Sequence, residues 1–126
     1  MAYGFDHIVV GAGLQAYDQV LRLRPGDADA HCNRGAVLLR QQEYETAEAA
    51  FRSALAIQPD HRGALLNLGF ALTAQARGED ALAAFDQMLA LDSVNFIARL
   101  QRGLLLNALG RHAEAEKEHR AVLELR

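Results

Sequence analysis

The sequence predicts an all-α fold, a solenoid of antiparallel helix pairs with three full repeats behind an N-terminal half repeat. Three observations carry that expectation. The chain repeats itself every 34 residues: Pro25 and Pro59 keep this step, as do Gly35, Gly69 and Gly103, and Ala47, Ala81 and Ala115. Leu38, Leu72 and Leu106 form another such column, and Leu55, Leu89 and Leu123 another. A self-similar period of this length marks stacked supersecondary units rather than a single globule. Within each period the apolar residues recur at helical spacing, and a short polar break divides the period in two. The composition agrees, since Ala and Leu dominate, Trp is missing and Pro is confined to two positions.

The first segment, residues 1–13, departs from the repeat. Its "FDHIVVGAG" (5–13) has the look of a strand feeding a Gly-x-Gly phosphate turn. Such a dinucleotide site needs a following helix, a second strand and an acidic residue about 20 positions on. Everything after Gly13 instead reads as helix pairs, and the nearest acids, Asp27 and Asp29, begin a repeat helix. No cofactor is expected. Sliding the period back by one unit explains Gly13 differently, because it then matches Ala47, and Tyr17 matches Phe51. Residues 14–25 are therefore a half repeat, its second helix only. The full repeats follow at 28–59, 62–93 and 96–126, making one domain of residues 1–126. Their helices are expected at 28–41, 44–57, 62–75, 79–91, 96–109 and 112–125. Asp27, Asp60 and Asn95 stand where N-caps are wanted, since their side chains can accept from the open first-turn N–H groups. Pro25 and Pro59 follow helix ends, where a residue unable to continue a helix fits.

The segment "NRGAVLLRQQEYETAEAAFRSALAIQP" (33–59) carries Gly35, Ala47, Phe51, Ala54 and Pro59 in the places of a 34-residue helix-pair pattern. "NLGFALTAQARGEDALAAFDQMLALDS" (67–93) repeats it with Gly69, Ala81 and Phe85, while Met88 and Ser93 depart from it. The last unit keeps Gly103, Gly110 and Ala115 but puts His119 in the column of Phe51 and Phe85. These residues resemble the tetratricopeptide repeat family. The small columns let two helix backbones approach closely, and the phenylalanines fill the space beside the crossing. The resemblance implies a right-handed superhelix whose first helices line a concave groove that takes extended peptides or partner helices.

Projected onto that groove, Asn33, Asn67 and Gln101 recur at the period and form a row of side-chain amides. An amide both donates and accepts, so such a row can pair with a peptide backbone without selecting side chains. The "NLG" at 67–69 resembles the superhelical repeats of O-linked N-acetylglucosamine transferases, where an asparagine ladder holds peptide backbone; Gln101, and Arg34 beside Asn33, depart from that pattern. Ala36, Leu66, Phe70, Leu100 and Leu104 make an apolar floor, with Arg40 and Asn107 at its polar margin. The plainer reading is that Asn33 and Asn67 solvate a helix or bond within the array. A carboxylate clamp of the chaperone-binding kind is disfavoured, because Cys32 and Ala36 stand where it would want Lys and Asn.

Catalytic machinery is not visible. His7, His31, His61, His112 and His119 include no i, i+4 pair, so a metal site is not expected. Cys32 is the only cysteine and reads as a buried or groove-lining thiol in a reducing compartment. Glu43, Glu45, Glu48, Glu114, Glu116 and Glu118 read as solvating the outer helix faces. A net charge of −3 gives no positive field for nucleic acid or an anionic membrane. No apolar stretch approaches the roughly 20 residues of a membrane span, and no signal peptide is visible, so the expected location is the cytoplasm. The expected function is a non-catalytic scaffold binding a protein or peptide partner in the groove. Two alternatives stand beside it: a substrate-targeting segment of a larger enzyme such as a glycosyltransferase, and a homo-oligomer assembled through uncapped repeat ends.

Overall fold

The computed structural model describes residues 2–124, with side chains from Gly13 onward. Seven helices follow one another: α1 (Ala2–Leu23), α2 (Ala28–Arg40), α3 (Tyr44–Ile57), α4 (Arg62–Ala74), α5 (Gly78–Leu91), α6 (Phe96–Ala108) and α7 (His112–Glu124). There is no strand among the described residues. Each helix packs on its sequence neighbours, and α2 also touches α4 across the joint between repeats. This is the tetratricopeptide-type solenoid, in which each unit buries its apolar face only against the next.

The pairs α2/α3 and α4/α5 close around a phenylalanine set beneath a glycine. Phe51 and Phe85 are fully buried, and a Cβ added at Gly35 or Gly69 would stand 2.6 Å from the Phe51 ring or 2.5 Å from the Phe85 ring. Burying a side chain of this size stabilises by about 1.5–3 kcal/mol, and only glycine lets the ring lie against the facing backbone. In α6/α7 the same place holds His119, whose Cε1 would meet a Cβ on Gly103 at 3.0 Å. The alanine columns Ala47, Ala81 and Ala115 are each at 0% exposure, the mark of backbones in close approach.

The helix ends obey the period more strictly than they obey residue preference. Asp27 and Asn95 cap α2 and α6, accepting from the Ala30 and Ala98 N–H groups at 3.0 and 2.9 Å. The third cap is not the Asp60 expected from its chemistry. His61, which shares the 34-residue column of Asp27 and Asn95, caps α4 through Nδ1, accepting from Ala64 N–H at 3.0 Å. Its Nε2 donates to Asp29 at 2.7 Å, so a neighbouring repeat holds the ring in its capping orientation. The turn inside each repeat is equally regular. Gln42, Ala76 and Gly110 are 34 apart and all have positive φ, at 64°, 58° and 79°. The following N–H groups of Glu43, Arg77 and Arg111 reach back to the carbonyls of Leu38, Leu72 and Leu106 at 2.9, 3.0 and 2.8 Å, which closes each first helix.

α1 runs without interruption from Ala2 to Leu23, so Gly11 and Gly13 lie inside a helix. The opening segment thus lacks the strand and turn on which the phosphate-loop reading depends. A Cβ on Gly13 would touch only Val37 Cγ2, at 3.9 Å.

Candidate peptide groove and its flanking ion networks

The residues expected in the groove all fall on the first helices of the three pairs: Asn33, Ala36 and Arg40 on α2, Leu66, Asn67 and Phe70 on α4, Leu100, Gln101, Leu104 and Asn107 on α6. Asn33, Arg40, Leu104 and Asn107 are exposed, and the other six are half-buried. Leu66 and Phe70 pack against the core. Phe70 sets its ring edge-on against Phe85, with centroids 5.8 Å apart. The apolar floor is strongest on α6, where Ile97 and Leu104 are 47% and 51% exposed on either side of Leu100. Ile97, Leu100 and Leu104 are spaced i, i+3, i+7, and so share one helix face.

Cys32, in the repeat preceding Asn67, is a buried free thiol. Burial pushes that thiol above its ordinary value, the Asn67 side chain works against the rise, and the charge of Asp29 adds to it. One amide of the set is engaged inside the array. Asn107 Nδ2 donates to His119 Nε2 at 3.3 Å, and His112 Nδ1 donates to Asn107 Oδ1 at 3.0 Å. His112 and His119 therefore meet through an amide. Among the described residues no three His, Cys, Asp or Glu side chains gather as a metal site would require.

Glu48 and Glu118, expected to solvate outer helix faces, instead stand at the centres of two ion networks. Glu118 is buried at 6% exposure. Its two carboxylate oxygens accept from Arg99 at 2.9 Å and Arg102 at 2.8 Å, and Arg102 Nε also reaches Asp86 at 2.7 Å. Glu48 is enclosed between α3, α4 and α5: Arg52 Nε donates to one oxygen at 2.8 Å, while Arg77 and Gln75 donate to the other at 2.7 and 3.1 Å. Burial would push the Glu48 carboxyl up, but these hydrogen bonds, with the charges of Arg52 and Arg77, outweigh burial and hold it below its ordinary value. A signal for the first network is present in the repeat columns. Arg99, Arg102 and Glu118 stand one period after Leu65, Leu68 and Ala84. Two cations and one anion replace three buried apolar residues together.

The exposed residues of α7 include Glu116, Lys117, Arg120 and Glu124, with Leu123 the one large apolar side chain among them.

The array compares with known proteins as follows. The family model of the cilia and flagella-associated protein 70 middle TPR-like domain matches residues 14–126. No curated protein matches the chain in sequence. Among solved structures, a MamA RS-1 double mutant superposes with a TM-score of 0.87 at 26% identity, covering 92% of this chain and 65% of its own. MamA 41-end from Desulfovibrio magneticus RS-1 gives 0.86 at 26% identity, with 92% and 66% covered. A further MamA crystal structure gives 0.86 at 20% identity, with 89% and 66% covered. The chain thus spans just under two thirds of the length of these MamA chains. No helix among the described residues is long and apolar enough to cross a membrane. With its repeats matched from residue 14 to residue 126, the chain belongs to the family of the cilia and flagella-associated protein 70 middle TPR-like domain, a tetratricopeptide-like array of helix pairs.

Proposed function

We propose that this array is a non-catalytic scaffold whose first-helix groove holds an extended peptide or an amphipathic partner helix. The observation that carries the reading is the α6 stripe of Ile97, Leu100 and Leu104, of which the first and last are about half exposed. Beside it lie Phe70 of α4 and the amides of Asn67 and Gln101. An apolar stripe bordered by side-chain amides suits a partner that buries aliphatic anchors while its backbone is hydrogen-bonded. Engagement of Asn107 with His112 and His119 shifts the weight of the binding toward the apolar floor. Asn33, Asn67 and Gln101 remain the amides offered to a backbone. The location is the cytoplasm, the partner is a protein, and neither nucleic acid nor membrane takes part.

Leu104→Glu tests this reading, because residue 104 is exposed and its replacement leaves the core untouched. In affinity capture from cell lysate, the wild-type chain is expected to retain partners that Leu104→Glu loses, at unchanged helicity. Equal capture by both chains would move the binding surface away from the groove.

A further inference from the structure

The three joints between successive repeats are built from equivalent positions and yet differ at one place. At the joint of α1 and α2, Arg34 Nε donates to Asp18 at 2.8 Å. At the joint of α5 and α6, 68 residues later, Arg102 Nε donates to Asp86 at 2.7 Å. The two pairs occupy the same columns, and each lays an arginine across the outer face of its joint. In the middle joint those columns hold Leu68 for the arginine and Arg52 for the aspartate. No internal clasp can form there. At that joint a cavity of about 460 Å³ opens on the outer face, lined by Leu55, Leu68, Leu72 and Ala84 with Arg52 and Asp80 among its polar residues. That volume falls within the roughly 300–1,000 Å³ of ligand pockets.

The charges around this cavity identify its guest. Both oxygens of Glu48 are taken by Arg52, Arg77 and Gln75. Asp80 is neutralised by Arg77, which donates to its Oδ2 through Nε at 3.2 Å and Nη2 at 3.0 Å. Arg52, by contrast, uses only its Nε among the described residues, and its side chain is 52% exposed. Its terminal amino groups are a free fork of donors of the kind that receives a carboxylate. Relative to the flanking joints the polarity is reversed: they supply an aspartate and bind an arginine, whereas the middle joint supplies an arginine over an apolar floor.

We propose that the outer face between α3 and α5 is a second docking site, which takes an acidic peptide segment of a protein partner by seating an aliphatic side chain on Leu68 and pairing the adjacent carboxylate with Arg52. The site is lined chiefly by the second helices α3 and α5, with Leu68 and Leu72 of α4 at its floor, and shares no lining residue with the first-helix groove, so the two can be occupied independently.

The probe is a capped hexapeptide with Leu-Glu at its centre, compared with its Leu-Gln and Leu-Lys counterparts, with amide chemical shifts and fluorescence anisotropy as readouts. The Leu-Glu peptide is expected to shift resonances on α3 and α5 and to bind at least tenfold more tightly than the other two. Leu68→Arg combined with Arg52→Asp copies the native clasp of the flanking joints into the middle one and is expected to weaken that binding at least tenfold. Arg52→Glu, which also removes one donor from Glu48 and is checked for retained helicity, is expected to shift the preference to the Leu-Lys peptide. Leu104→Glu in the groove is expected to leave all of this unchanged, which separates failure here from failure of the groove reading. The proposal is overturned if the three peptides bind alike, if Arg52→Glu retains the Leu-Glu preference, or if shifts are confined to α2, α4 and α6 or do not occur at millimolar peptide.

Discussion

A methyl group placed on Gly69 would lie 2.5 Å from Phe85 Cζ, and the same methyl on Gly103 would lie 3.0 Å from His119 Cε1. The difference decides how each glycine responds to substitution. Phe85 is fully buried and in edge-on contact with Phe70, so its ring has little room to retreat. His119 is only half-buried, at the edge of the array. Gly69→Ala is therefore expected to destabilise by about 1–3 kcal/mol through overpacking, and Gly103→Ala by clearly less, because the better helix propensity of alanine offsets a small ring shift. Ala76 is the converse case. It holds φ 58° in the turn column that Gly110 fills at φ 79°, so Ala76→Gly removes a left-handed penalty of roughly 1 kcal/mol. Urea midpoints should rank Ala76→Gly above wild type and Gly69→Ala lowest. An Ala76→Gly protein less stable than wild type would remove the backbone argument.

At the scale of the helices, how well the sequence could be read depended on which signal was followed. All six repeat helices lie within one residue of expectation at their described ends, because each 34-residue column fixes the register three times over. Local preference points to Asp60 as the cap of α4, whereas the column points to His61, which is the residue that caps it. The ion networks were missed for a related reason: a glutamate considered alone reads as surface, and only alignment of Arg99, Arg102 and Glu118 with Leu65, Leu68 and Ala84 shows that the charges stand in core positions. That substitution has a testable energetic sense. Removing one member of a buried charge cluster leaves the others unpaired, whereas replacing the whole cluster by apolar side chains is often neutral or stabilising. Glu118→Ala is expected to cost about 1–3 kcal/mol, since it strips hydrogen bonds from two arginines that are themselves mostly covered. Restoring the composition of the preceding repeat with Glu118→Ala, Arg99→Leu and Arg102→Leu together should recover that loss. A triple variant no more stable than Glu118→Ala alone would mean that the network holds α6 on α7 by more than charge balance.

Across the whole molecule, stability in a solenoid is the sum of units and of joints between neighbours, so a weak joint divides the array into separately unfolding parts. The positions expected to line the groove could be named from the sequence, but the engagement of Asn107 by His112 and His119 could not, since it depends on how α6 packs on α7. The same holds for the middle joint, where Glu48 of α3 is tied to Gln75 and Arg77 at the turn between α4 and α5. Its folded-state carboxyl is depressed below the ordinary 4.5 by those partners against the opposing push of burial. A depressed acid contributes stability that is fully present above its unfolded value and is lost as pH falls through the folded value, because the unfolded chain takes up the proton first. The loss therefore begins near pH 5 and deepens below it. Glu114, held down chiefly by its hydrogen bonds from Arg111 and with burial opposing, adds a local contribution of the same sign at the start of α7. The two differ in what they connect: Glu114 pairs within one turn, and Glu48 joins two repeats. Between pH 7 and pH 3.5 the urea transition of the wild-type chain should fall in midpoint and broaden as the middle joint loosens. Glu48→Gln should begin lower at pH 7 and lose less on acidification, while Glu114→Gln should keep the wild-type broadening. If Glu48→Gln lost as much stability as wild type over this range, the middle joint would not be the acid-sensitive element, and the broadening would have to arise at another joint.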